Sequence, residues 1–336
     1  MRKLGVFLLG AFFFVGGATC LNRKTITVSA DTRVVCIGGM PAGFTLSAGG
    51  LQVLGFCDVT TENKKSSPAS EAGMRAGDLV IEANGIKVET ISQFNEILSK
   101  NGTNPLKCKV LRGEEKLEIT LNPIRDKVSD RYKIGVLIRD GISGIGTVTY
   151  IDQNSGRFGA LGHAVVGTNE KQLSLLDGDV YSCSIVGVSK GIRGKAGELR
   201  GMFLAEKSIG KAEKLCTCGI YGKIRGDFDT KGLKVARASS ANVKPGKASI
   251  YSTISGEYPK EYAIEIVKVD KNQKENKNYV IKIVDECLLE ETGGIVQGMS
   301  GSPILQNGEL VGAVTHVFVN DPTRGFGIAI DQMLEQ

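Results

Sequence analysis

Ser300 lies in the stretch "GGIVQGMSGSP", between Gly298 and Gly301 and just ahead of an apolar run. A serine hydroxyl becomes a nucleophile when a neighbouring base takes its proton. Acyl transfer also needs backbone N–H groups aimed at the oxygen on which charge develops. Glycines around the serine let the chain bend tightly without a Cβ clash, so the N–H groups of Gly298 and Ser300 can converge on one spot. The chain holds only two histidines. His163 ends an apolar run in "FGALGHAVVG" and is the expected base. His316, in "GAVTHVFVND", follows close behind the serine on a strand and is expected to wall a pocket or pack. The third group would be a carboxylate that orients the imidazole. Asp177, Asp179, Asp227, Asp229 and Asp285 are candidates, and spacing alone does not choose among them. Most of these should sit in turns or cap helices, Asp285 included. Asp140 and Asp152 precede His163 and fit less well. Cys287 could serve as a nucleophile instead, but no glycine cage surrounds it.

These groups need a rigid frame. From Gly135 onward short apolar runs alternate with glycine turns, as in "GIGTVTYI", "VYSCSIVGV", "GIYGKI", "EYAIEIVKV" and "GELVGAVTHVFV". That pattern predicts a mainly β chain closing into a barrel or sandwich. "KVDKNQKENKNY" reads as a hydrophilic hairpin tip. Residues 123–134 are charged and begin with proline, which suggests a linker. The segment before it reads as a separate unit, as expected for 336 residues. "GFTLSA" and "LQVLGF" are strands, and "DLVIEANGIKV" is a hairpin turning at Asn84-Gly85. "ISQFNEILSK" sets Ile91, Phe94, Ile97 and Leu98 on one helical face.

The N-terminus carries Arg2 and Lys3, an uncharged run from Leu4 to Leu21, then Arg23 and Lys24. Basic flanks round such a run predict a signal or membrane-anchor helix and export of the rest. The net charge of +6 suits an anionic membrane surface. No Lys/Arg cluster is interleaved with aromatics, so nucleic-acid binding is not expected. The eight cysteines show no disulfide-framework spacing. Cys216 and Cys218 have neither a second pair nor a nearby histidine, so neither a zinc site nor a cofactor is expected.

Three stretches carry resemblances. "AGMRAGDLVIEANGIKV" is similar to the core of a PDZ domain, which binds an extended peptide as an added strand and takes its C-terminal carboxylate in a backbone nest. The matching loop and strand are expected in "PAGFTL", with Gly43, Phe44, Thr45 and Leu46 as contacts. "G-x-S-G-x-P" resembles the nucleophile motif of chymotrypsin-like proteases, and "FGALGHAV" resembles their strand-end histidine. The order His then Ser agrees, and that order by itself favours Asp179. The long stretch "TGGIVQGMSGSPILQNGELVGAVTHVFVNDPTRGFGI", together with the PDZ-like unit, closely resembles the stage IV sporulation protein B family, serine peptidases of endospore-forming bacteria. The resemblance implies catalytic His163, Asp285 and Ser300. It implies an N-terminal signal or anchor over 1–24, a PDZ domain over 34–122, a linker over 123–134 and a chymotrypsin-like β-barrel peptidase domain over 135–336. It also implies export from the forespore into the space between its two membranes, self-processing in trans, and cleavage of a membrane-anchored regulator of an intramembrane metalloprotease that activates a late mother-cell sigma factor. The competing expectation is a catalytically silent PDZ adaptor. It would keep the glycine turn without needing both His163 and Ser300.

Overall fold

The computed structural model describes residues 33–165, 177–204, 208–226 and 228–336. The expected signal or anchor helix and Asp227 lie outside them. Among the described residues no helix is long and apolar enough to cross a membrane.

Six strands close a first barrel. Pro41–Ser47 pairs with Ile142–Ile151 on one side and Asp177–Ser189 on the other. The ring continues through Gly210–Cys216 and Gly219–Ile224 to Arg157–Leu161, which returns to Ile142–Ile151. Phe44, Leu46, Val148, Phe158, Val180 and Ile220 fill it. A second barrel closes from Gly246–Ser252, Lys260–Val269, Tyr279–Ile283, Asp321–Ala329, Glu309–Phe318 and Pro303–Gln306. Its strands keep the period-2 pattern: Lys260–Val269 buries Tyr262, Ile264 and Ile266 and exposes the residues between them. A shared apolar cluster that includes Val35, Ile37, Tyr150, Leu305, Ile328 and Met333 joins the barrels.

A separate module is inserted between the first-barrel strands Pro41–Ser47 and Ile142–Ile151. Leu51–Phe56, Leu79–Ala83, Leu106–Arg112, Glu115–Leu121 and Val136–Arg139 form its sheet. Leu51, Val53, Leu106 and Val110 pack there with Phe94 and Leu98 of the helix Ile91–Asn101. Thr90 and Gln93 form a reciprocal cap that starts this helix. Asn84 and Gly85 both take positive φ, as the predicted tight hairpin requires. Asp78 is 1% exposed and is gripped through two 2.8 Å contacts by the Arg112 fork.

Two expected boundaries move. Pro41–Ser47 is a strand of the first barrel and Val34–Ile37 pairs onto its strand Ile142–Ile151, so the inserted module lies within 48–141 rather than 34–122. The expected linker over 123–134 is a folded hairpin, Ile124–Arg125 against Tyr132–Lys133. Asp126 is nearly buried there. The Lys133 ammonium at 2.8 Å and Ser129, through its hydroxyl and N–H, hold its carboxyl far below the usual range. A charged stretch looks solvated, and most of its charges are, but the Asp126 carboxylate is buried and paired with Lys133. The module ends only after Val136–Arg139, inside the stretch expected to open the peptidase domain.

The hydrophilic hairpin tip also departs from expectation. Asn276 is buried and gives its side-chain N–H to the Thr217 carbonyl at 2.5 Å, while its own carbonyl accepts from Thr315 Oγ1 at 3.3 Å. The tip therefore ties the first barrel to the second.

Candidate active site

Residues 293–302 connect the helix Glu286–Thr292 to the strand Pro303–Gln306 and carry Ser300. Both barrels hold this loop. From the first, Thr147 N–H donates to Ser300 O at 3.1 Å, Thr147 Oγ1 to Gly298 O at 2.8 Å and Thr149 Oγ1 to Gly301 O at 2.8 Å. From the second, Val314 O accepts the Gly301 N–H at 2.8 Å. The N–H groups of Met299, Gly301 and Ser302 are all bonded within the protein. Those of Gly298 and Ser300 have no acceptor among the described residues. These are the two N–H groups expected to face a developing oxyanion.

His163 reaches the same seam from the first barrel. Strand Arg157–Leu161 ends with Leu161 and Gly162 both at φ 71°, which turns the chain out of the barrel wall. A Cβ on Gly162 would lie 3.0 Å from Thr315 Cγ2, so the backbone bearing His163 packs on the strand bearing Thr315. Ser300 Oγ donates to Thr315 O at 2.9 Å. His163 Nδ1 lies 2.9 Å from Ala164 O. A carbonyl only accepts, so Nδ1 carries the hydrogen and Nε2 keeps its lone pair. The His316 ring lies 5.1 Å from that of His163, centroid to centroid, tilted by 42°. Ser300, His163 and His316 thus gather round Thr315, although Ser300 and His163 do not hydrogen-bond to each other in this arrangement.

Both imidazoles are held neutral. Burial pushes His163 below the ordinary value, partly offset by the Ala164 carbonyl. Partial burial of its ring, then the nearness of the His163 ring and of the Lys277 ammonium, push His316 down to about 4, although the residue as a whole is exposed. With His163 as the base, the acid limb of kcat/KM should fall below the ordinary imidazole value of about 6.5, because the base must be neutral and stays so as the pH drops. A limb at or above that value in a pH–rate profile would contradict the placement. The depression also ties folding to pH. Unfolded imidazoles bind protons first, so stability present above the ordinary value is lost as the pH falls towards the folded-state values.

Asp285 is not brought to His163. Its two carboxylate oxygens accept the N–H of Leu288 at 3.0 Å, as the helix cap, and the N–H of Ala263 at 3.1 Å. Asp179 and Asp177 pair with Lys211, and Asp229 accepts the Lys231 N–H. Among the described residues no carboxylate bonds to either imidazole. Asp285→Ala should cost about 1 kcal/mol through the lost cap and should lower activity by loosening the helix that feeds the Ser300 loop, whereas Asp285→Asn, an equally good cap, should restore both. A full loss of activity in a stably folded Asn variant would mean the carboxylate charge itself is needed.

Gly43, Phe44, Thr45 and Leu46 are also corrected. Their strand is hydrogen-bonded on both sides within the first barrel, so no edge is left for a peptide. The inserted module offers a different edge: Val136–Arg139 pairs with Leu51–Phe56 on one side and with no described strand on the other. Sequence reasoning also missed the carbonyls of Ala164 and Thr315, while His316, expected to wall a pocket or pack, lies against the His163 ring. Only the alternating threonines of "GTVTYI", an uncommon pair for a core strand, could have signalled the clamp on the serine loop.

The family model described as SpoIVB peptidase S55 matches residues 130–334, more than half of the chain. The chain belongs to the SpoIVB peptidase S55 family. It is by family a sporulation serine peptidase, and a PDZ domain model matches residues 59–112 of the inserted module. Two curated relatives match over shorter stretches. An Agrobacterium fabrum protein named as a zinc metalloprotease is 31% identical over 100 residues, 30% of this chain. An Enterococcus faecalis protein named as a protease is 33% identical over 73 residues, 21% of this chain. The chain spans only 25% and 17% of those relatives' lengths. Among solved structures, the PDZ domain of an SdrC-like protein from Listeria monocytogenes aligns over 27% of this chain and 90% of its own, with TM-score 0.23 and 17% identity. Human heparin binding protein aligns over 56% and 86%, with TM-score 0.30 and 10% identity. The fold of this S55 member rests on the strand pairing described above, not on those two scores.

Proposed function

We propose that this S55 member is a serine endopeptidase with Ser300 as nucleophile and His163 as base. The observation that carries the reading is the gathering of Ser300 and His163 round Thr315, beside the N–H groups of Gly298 and Ser300, which have no acceptor among the described residues. In the reaction the Ser300 hydroxyl turns from the Thr315 carbonyl to His163 Nε2, as resting sites commonly tighten only when substrate binds. His163 takes the proton as Oγ attacks the scissile carbonyl. The oxyanion accepts the N–H groups of Gly298 and Ser300. The imidazolium returns its proton to the leaving amine, and water then releases the acyl group by the same steps. The Ala164 carbonyl holds the tautomer that a carboxylate holds in the usual triad. A cavity of about 410 Å³ beside Gly298, with Ser143, Ile145, Leu199 and Phe203 in its walls, is open to substrate.

The finer role follows the family resemblance. The protein is exported from the forespore, first tethered by its N-terminal apolar run. It processes itself in trans and cleaves a membrane-anchored regulator of an intramembrane metalloprotease. Its PDZ domain takes peptide C-termini. Labelling with a fluorophosphonate tests the chemistry: Ser300 of the folded wild type should be labelled, and labelling should collapse in His163→Ala. An unlabelled Ser300 in folded, processed protein would leave the silent adaptor. N-terminal sequencing of material recovered from the intermembrane space tests export and self-processing.

A further inference from the structure

The strands Val136–Arg139 and Ile142–Ile151 are two halves of one ribbon. On one edge both pair with the same preceding run of chain: Arg139 with Gln52 in the inserted domain, Ile142 with Leu46 in the first barrel. Their opposite edges therefore face the same way. Along 136–139 that opposite edge has no partner among the described strands. It is next occupied by a strand only from Val148 on, by Arg157–Leu161. Between these limits it runs to the serine loop: Ser143, Gly144 and Ile145 line the cavity with Gln297 and Gly298, and Thr147 holds Ser300. At the other end sit Ile134 and Gly135. Both are buried, and neither N–H has an acceptor among the described residues. Buried N–H groups without acceptors are rare and costly, and an incoming oxygen relieves both.

We propose that this edge is a single docking rail for the substrate's leaving side, ending in a seat for its free C-terminal carboxylate at the N–H groups of Ile134 and Gly135. This rests on Ser300 being the nucleophile. A chain added antiparallel to the ribbon runs from the cavity at Ile145 back to Gly135. Its scissile bond then lies at Ser300 and its C-terminus lies at the far end. Two adjacent N–H groups suit the two oxygens of a carboxylate better than a single internal carbonyl. The rail from Val136 to Ile145, at about 3.3 Å per residue, sets the cut on the order of ten residues before the C-terminus. The substrates that use this rail are therefore extended C-terminal tails, trimmed at a distance measured from their end, and for them the PDZ domain sets specificity for the cut instead of serving as a remote anchor; an N-terminal self-cut, whose leaving side is the folded protein itself, does not use it.

The test uses the wild-type chain and synthetic peptides that share one cleavage sequence, with tails shortened and lengthened around the expected spacing. Products are mapped by mass spectrometry. The rail predicts that kcat/KM peaks at a tail of about ten residues, and that amidating the C-terminus or N-methylating the tail backbone lowers it about tenfold or more through KM. Equal cleavage of acid and amide, or a rate indifferent to tail length, overturns the rail. Fluorophosphonate labelling of Ser300 in the same preparation keeps the two readings apart. Failed labelling removes the nucleophile; retained labelling with tail-indifferent cleavage removes the rail alone.

Discussion

Ser300→Ala is expected to lower kcat on the order of a millionfold while leaving the protein folded. The loss is large because the hydroxyl, the base and the oxyanion donors act as a unit, so removing the attacking atom strands the others. The fold should survive because, among the described residues, the side chain makes one hydrogen bond, to the Thr315 carbonyl. Losing it costs about 1 kcal/mol. The loop remains held by Thr147, Thr149 and the Val314 carbonyl, through hydrogen bonds that do not involve Oγ. Peptide hydrolysis and intact mass of the full-length chain check the prediction together, since the variant should also remain unprocessed. If the serine only fastened the loop to strand Glu309–Phe318, the variant would lose the same stability and nothing else. Self-processing that persists in purified Ser300→Ala would rule out the nucleophile.

The chemistry was more legible in the sequence than the placement of the domains. Ser300 and His163 stood out because each is rare in its setting: a serine among glycines, and one of two histidines at the end of an apolar run. The strand "PAGFTL" was readable as a strand but not as a barrel strand. Phe44 and Leu46 bury one face in either sheet, and the period-2 pattern says nothing about which sheet receives it. An insertion between two barrel strands leaves no trace in composition. Asp285 was readable as a cap from its place before a short helix, and as a catalytic acid from the family resemblance. Asn276 was misread because a run of polar side chains looks solvated, while its own is satisfied by the turn at Thr217 and Cys218. The partners of the reacting groups are carbonyls of Ala164 and Thr315. Every residue has a carbonyl, so no residue type marks which one is used.

Gly301→Ala should be a strongly damaging single-methyl change at the site, lowering stability by at least about 3 kcal/mol. Gly301 sits at φ +95°, and an added Cβ would fall 2.1 Å from the Thr147 carbonyl oxygen and 2.6 Å from the Leu161 N. Neither neighbour can yield cheaply. Thr147 is buried and bonded to Ser300 and Gly298, and Leu161 belongs to the strand that delivers His163. The methyl therefore pries apart the contact that brings base and nucleophile together, so activity should fall even in the molecules that remain folded. Gly308→Ala is the control: its φ is +80°, but nothing lies within 4 Å of the added Cβ. It should cost only the left-handed backbone penalty of about 1 kcal/mol. Thermal unfolding should show Gly301→Ala lower by roughly 10 °C, and Gly308→Ala by a few degrees at most. The rate of fluorophosphonate labelling should fall only in the first. Equal and mild effects in both would mean that the seam between the barrels is loose at Gly301, and that the meeting of His163 with Ser300 does not depend on so close a backbone approach.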